Sequence, residues 1–145
     1  MKRLFNPQIS FYILSYSLGG VLIAHSLYLK MVVFTLPGTA QFFAEIGLPE
    51  ILAYIVFIIE SIAGAALLLG FHTRFFTALI IPVLLGATLT HLPYGWLFTN
   101  SGGGWEYPLF LSLVAIALLG LGDETQTKRY PFFIKKNKVK NGMVE

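Results

Sequence analysis

Between Ile9 and Leu29 the chain runs for 21 residues without one formal charge, and comparable apolar runs recur three more times. Ile51 to Gly70 gives 20 residues interrupted only by Glu60, Phe75 to Leu92 gives 18, and Tyr107 to Gly122 gives 16. A helix needs about 20 apolar residues to cross about 30 Å of hydrocarbon. The runs therefore predict four membrane spans, with Trp105 and Glu106 extending the shortest toward the interface. Pro82 lies inside the third and should kink it. No run alternates with period two, which argues against a β-barrel. The reading is an all-α integral membrane four-helix bundle over residues 1–122, followed by a basic cytoplasmic tail over 123–145.

Composition excludes the alternatives. The hydrophobic set makes up 56% of the 145 residues, charged residues only 12%, and the mean hydropathy is +0.73. A soluble domain carries about 25% charged residues, so water would not solvate this much apolar surface. Intrinsic disorder needs the opposite balance of low hydropathy and high charge. The chain has no cysteine, which excludes disulfides, thiolate metal sites and a dithiol relay run by this chain itself. No metal-ligating cluster is read from the remaining residues. Lys2 and Arg3 precede the first run as in a signal peptide. The run is longer than a typical h-region, however, and no small-x-small cleavage site follows, so a retained helix is expected.

Lys and Arg at the helix ends set the orientation. The N-terminus, the turn at 71–74 and the tail hold nine of the ten basic residues, and the two other loops hold only Lys30. Nine against one places both termini in the cytoplasm, in a multi-pass inner-membrane protein whose longer loops face the periplasm. Thr39 to Ile46 reads as a short interfacial helix with Phe42 and Phe43 dipping into the membrane, stopped by Gly47-Leu48-Pro49. The second outer loop gathers Tyr94, Trp96, Phe98 and Trp105 around Gly102-Gly103-Gly104. Aromatics anchor at headgroup level, and the glycines permit a tight turn or a close backbone approach. The tail interleaves Lys and Arg with Tyr130, Phe132 and Phe133, which suits the anionic inner leaflet rather than nucleic acid.

Chemistry must lie where polar residues are expensive to keep. Glu60 falls mid-span, roughly 14 Å from either end at about 1.5 Å per residue, and needs a partner, a proton or water there. Alternating helix direction brings His25, Glu60, His91 and Glu106, one from each span, toward the outer half. Lys30 can snorkel back to a carboxylate, and Tyr28, Thr88, Thr90 and Tyr107 are polar neighbours. The competing reading makes these residues interhelical hydrogen-bond glue, worth about 0.6 kcal/mol each. His72, in the cytoplasmic turn, is expected simply to be exposed. An apolar pocket with a few convergent polar groups suits a quinone or another lipid-like molecule, its protons handled by His and Glu. Axial haem ligation by two histidines is a weaker reading. A proton or solute pathway lacks polar steps in the cytoplasmic half of the second span. Small-residue pairs Gly20/Ala24, Ser61/Ala65 and Gly86/Thr90 predict close helix approach, and Gly64 leaves room beside Glu60 for a neighbour.

Several of these stretches together resemble the DoxX family of small membrane proteins. His25 followed by Lys30 resembles its histidine–glycine…lysine signature, with Ser26 at the glycine and Lys30 one position late. Phe42 to Tyr54 is similar to its first loop, and Glu60 to Gly64 continuing to Thr73-Arg74 is similar to its second helix and following turn. His91 and the stretch from Gly102 to Pro108 resemble its third-helix histidine and the opening of its fourth helix, while Asp123-Glu124-Thr125 departs from its usual ending. The resemblance implies a redox-associated membrane subunit with His25, Glu60, His91 and Glu106 as its polar set. Its relatives serve thiosulfate:quinone and oxidative-stress or thiol-redox systems. The expected function is an accessory or quinone-facing subunit of such a system, with the bilayer and a membrane or periplasmic redox protein as partners. The alternatives are a non-catalytic scaffold that docks a partner and, behind it, a small-solute transporter.

Overall fold

The computed structural model describes residues 7–126, and among them every regular element is helical. Lys2, Arg3 and the basic residues from Lys128 onward, on which most of the predicted orientation rests, lie outside the described residues. Helix α1 (Pro7–Ile23) passes without a break into a π-helix (Ala24–Val33). Then come α2 (Leu36–Glu45), α3 (Glu50–Leu69), α4 (Thr73–His91), a 3₁₀ turn (Leu92–Tyr94) and α5 (Glu106–Gln126). Three of the helical stretches are long and apolar enough to cross a membrane: Pro7–Val33, Glu50–Leu69 and Thr73–Tyr94. The fourth apolar stretch, Glu106–Leu121, is shorter. Helix α4 continues through Pro82, and α5 carries helical backbone through Gln126, past the predicted tail boundary at Asp123.

The helices stop where local chemistry stops them. At the end of α3, Gly70 takes a left-handed φ of 64° and the Phe71 N–H donates to the Ala66 carbonyl at 2.8 Å, a glycine-closed C-terminus. Helix α2 starts three residues before the predicted Thr39, because Thr35 caps it through Oγ1, which accepts from the Gly38 N–H at 3.2 Å, and proline occupies its first turn. Thr35 holds a φ of 63°, an uncommon conformation for a β-branched residue. Gly47, with φ 81°, follows α2, and Pro49 stands at the N-cap of α3.

Helix α1 packs against α3 and α5, and α4 packs against α3 and α5, while α2 lies across α3 and the π segment. The core stripe of α1 is Phe11, Ser15, Leu18 and Leu22; that of α4 is Thr73, Thr77, Ile80, Leu84 and Thr88. Spacings of three and four put each set on one face. The inward faces are rich in small and hydroxyl residues, while large aliphatics point outward, such as Ile51 at 63% and Leu69 at 74% exposure. This arrangement suits hydrocarbon outside and backbone contact inside.

Helices α1 and α3 meet backbone against backbone. A Cβ placed on Gly64 would sit 2.9 Å from Ile23 Cγ1 and 3.1 Å from the Gly19 carbonyl, and one on Gly19 would meet the Gly64 carbonyl at 3.0 Å. The expected room beside Gly64 is thus filled by α1. The predicted small-residue pairs do not make this contact: Gly20 and Gly86 face open space, and Ala24 and Ala65 are exposed. One residue's offset turns a helix position by about 100°, so Gly19 meets α3 where Gly20 cannot.

Candidate functional site

The π segment carries two of the predicted site residues. Its amides bond five residues back, as the Phe34 N–H does to the Leu29 carbonyl at 2.8 Å, so residues five apart stack as residues four apart do in an α-helix. His25 and Lys30 are five apart. The looser winding brings Lys30 back over the face of His25, where α-helical winding would turn it away. At the junction the buried Ser26 hydroxyl donates to the Leu22 carbonyl at 2.8 Å. Such back-bonding loads a carbonyl of the preceding turn and bends helices. The serine in place of the resembled glycine and the late lysine therefore fall on one structural feature.

Lys30 Nζ donates to Glu60 Oε2 and forms an ion pair with it, the two side chains being only 16% and 9% exposed. The predicted reach of Lys30 to a carboxylate is observed, and Glu60 is its partner. Thr39 of α2 donates through Oγ1 to the Thr35 carbonyl at 2.9 Å and lies 3.4 Å from the Lys30 carbonyl, so α2 is fastened to the backbone that carries the cation. His25 is half-buried, its ring stacked on Tyr107 with centroids 5.7 Å apart. Lys30 and His91 both lie near enough to act on that ring electrostatically. His25, Lys30 and Glu60, with Tyr107, thus form one polar centre in apolar surroundings.

His91 and Glu106 are held by the second long loop. The Gly102 carbonyl can only accept, so the 3.1 Å contact assigns a proton to His91 Nδ1. Glu106 Oε1 accepts from the Phe98 N–H at 3.0 Å. The Trp105 and Glu106 N–H groups donate to the Gly95 and Trp96 carbonyls at 3.1 and 3.2 Å, which closes the loop at its base. Trp96 and Trp105 meet edge to face at 4.4 Å. The glycines approach the chain's own groups: Gly102, at φ 90°, lies against the Tyr94 ring, and Gly103, at φ 79°, lies against His91. Of the predicted polar neighbours, Tyr28 is 61% exposed, and Thr88 and Thr90 donate to carbonyls of their own helix at 2.9 and 3.0 Å. His72 is exposed, as expected, in the turn before α4.

Sequence reasoning missed the hydroxyls at the other end of the core. Ser15 donates to the Leu67 carbonyl at 2.9 Å, and the buried Thr73 and Thr77 hydroxyls have no partner. On α3 alone polar steps end at Ser61, whereas these hydroxyls come from α1 and α4. Threonine recurring at i and i+4 on α4 was the available signal.

The DoxX family model matches residues 13–93, a segment that contains His25, Lys30, Glu60 and His91 and ends before the glycine loop. A protein of Bacillus subtilis (strain 168) named "Putative oxidoreductase CatD" is 36% identical over 83 residues, which are 57% of this chain and 60% of that protein. The chain thus matches less than two thirds of that relative's length. No solved structure matches the chain.

Proposed function

The chain belongs to the DoxX family, and from that premise we propose that it is a four-helix inner-membrane subunit of a redox system, with both termini cytoplasmic and its polar centre facing a quinone. The observation that carries the reading is the Lys30–Glu60 pair with His25 beside it, charges held inside a helical core that is otherwise apolar or hydroxyl-bearing. A quinone supplies two-electron chemistry coupled to two protons. The chain has no cysteine with which to deliver electrons as a dithiol, so a partner protein supplies them. The residues fit the protonic half of the chemistry. His25 exchanges a proton at a ring nitrogen, Lys30 donates a hydrogen bond, and Glu60 holds the lysine in place. The oxidoreductase name of the Bacillus relative supports the redox assignment.

Binding of a quinone analogue to the detergent-purified protein tests this reading. Glu60→Gln should weaken binding about tenfold, the scale of one hydrogen bond to a charged group, and His25→Ala should do the same. Binding no tighter than to empty detergent micelles would dispose of the quinone.

A further inference from the structure

A second site lies along α5, lined by Tyr107, whose ring also stacks on His25, but by neither Lys30 nor Glu60. Trp96, Phe98, Glu106, Tyr107, Phe110 and Leu113 line most of a groove of about 410 Å³. Its walls are aromatic and aliphatic and open to the surroundings of the helix, with Phe98 65%, Phe110 60% and Leu113 56% exposed. Glu106 is its one charged lining residue. One carboxylate oxygen is engaged by the Phe98 N–H, and no described cation pairs with the other. The loop from Pro93 to Glu106 contains no Lys or Arg. A carboxylate among aromatic rings, at the point where an apolar helix begins, lacks only a cation.

We propose that this groove is a binding site for an amine-headed phospholipid of the leaflet on the loop side, its ammonium seated on Glu106 among the aromatic rings and an acyl chain lying along Phe110 and Leu113. The chemistry selects the headgroup. Aromatic faces and a carboxylate both attract an ammonium, and the free carboxylate oxygen accepts its N–H. A glycerol head brings no cation, and the phosphate, common to both lipids, does not distinguish them. Helix α5 places the tail: Phe110 and Leu113 follow Glu106 at spacings of four and three, on the face that begins at the carboxylate. The groove volume falls within the range of about 300–1,000 Å³ usual for small-molecule sites.

The test is native mass spectrometry of the detergent-solubilised protein with phosphatidylethanolamine and phosphatidylglycerol of identical acyl chains. The amine lipid should be retained about tenfold over the glycerol lipid, the scale of one cation–π contact added to one exposed ion pair. Glu106→Gln keeps an oxygen for the Phe98 N–H and should remove the preference. Phe110→Ala with Leu113→Ala should weaken both lipids alike. Equal retention by the unaltered protein, or a preference that survives Glu106→Gln, overturns the proposal. Glu60→Gln should leave the lipid preference unchanged, which separates this site from the proposed quinone centre.

Discussion

Glu60→Ala should destabilise the protein by about 3–5 kcal/mol, the cost of breaking a buried ion pair by removing one partner. The Lys30 ammonium would stay largely buried without its only carboxylate partner among the described residues. Lys30→Ala should cost a comparable amount, because it strands the Glu60 carboxylate in the core of α3. Removing both charges should not be twice as harmful. Lys30→Ala with Glu60→Ala leaves no uncompensated charge, so the double variant should lose no more than either single one, and the cycle should give a coupling of about 3 kcal/mol or more. Thermal or denaturant unfolding in one detergent measures all four proteins. Single losses under about 1 kcal/mol that simply add would show that the pair is solvated and behaves like a surface bridge. The cycle also bears on function, since a double variant that folds normally lets quinone binding be measured without the charges.

Gly104→Ala is the second large effect expected. A Cβ there would lie on the carbonyl of Leu97 and the carbonyl oxygen of Trp96, backbone groups with little freedom to move. Trp96 O accepts from the Glu106 N–H and Leu97 O from the Asn100 N–H at 3.0 Å, so relieving the clash means opening the loop. The cost should reach about 3 kcal/mol, the upper end of overpacking penalties. Opening also frees Phe98 from Glu106 and Gly102 from His91. The readout is direct, because the chain's two tryptophans, Trp96 and Trp105, both sit in this loop. Their emission should shift in Gly104→Ala and stay unchanged in Gly20→Ala, where a Cβ meets open space. An unshifted spectrum with unchanged stability would mean that the loop yields easily.

These two effects differ in how visible they are in the sequence. Glu60 is legible because one charge interrupts a 20-residue apolar run, and an intramembrane charge demands a partner. Lys30 follows, as the one basic residue on its side of the count. Beyond this the signals fade. Helix α1 is apolar almost all round, so no amphipathic contrast tells Gly19 from Gly20 or reveals which face meets α3. Ten residues of π winding look like ten residues of α-helix when most of them are apolar. Helix direction sets the expected depth of His91 and Glu106, but depth does not aim a side chain. Their aim follows from the backbone donors and acceptors of a glycine loop, which need partners and find them in those two residues.

The π segment has a consequence for chain length. A residue added between two positions on a helix ordinarily rotates everything after it, or is expelled as a loop that lipid does not tolerate. Here the spacing from His25 to Lys30 is one residue longer than in the resembled signature, and the backbone spreads the surplus over ten residues of wider winding. No residue is looped out of the helix. Wider winding can therefore take up an extra residue between two positions of an apolar helix without expelling it.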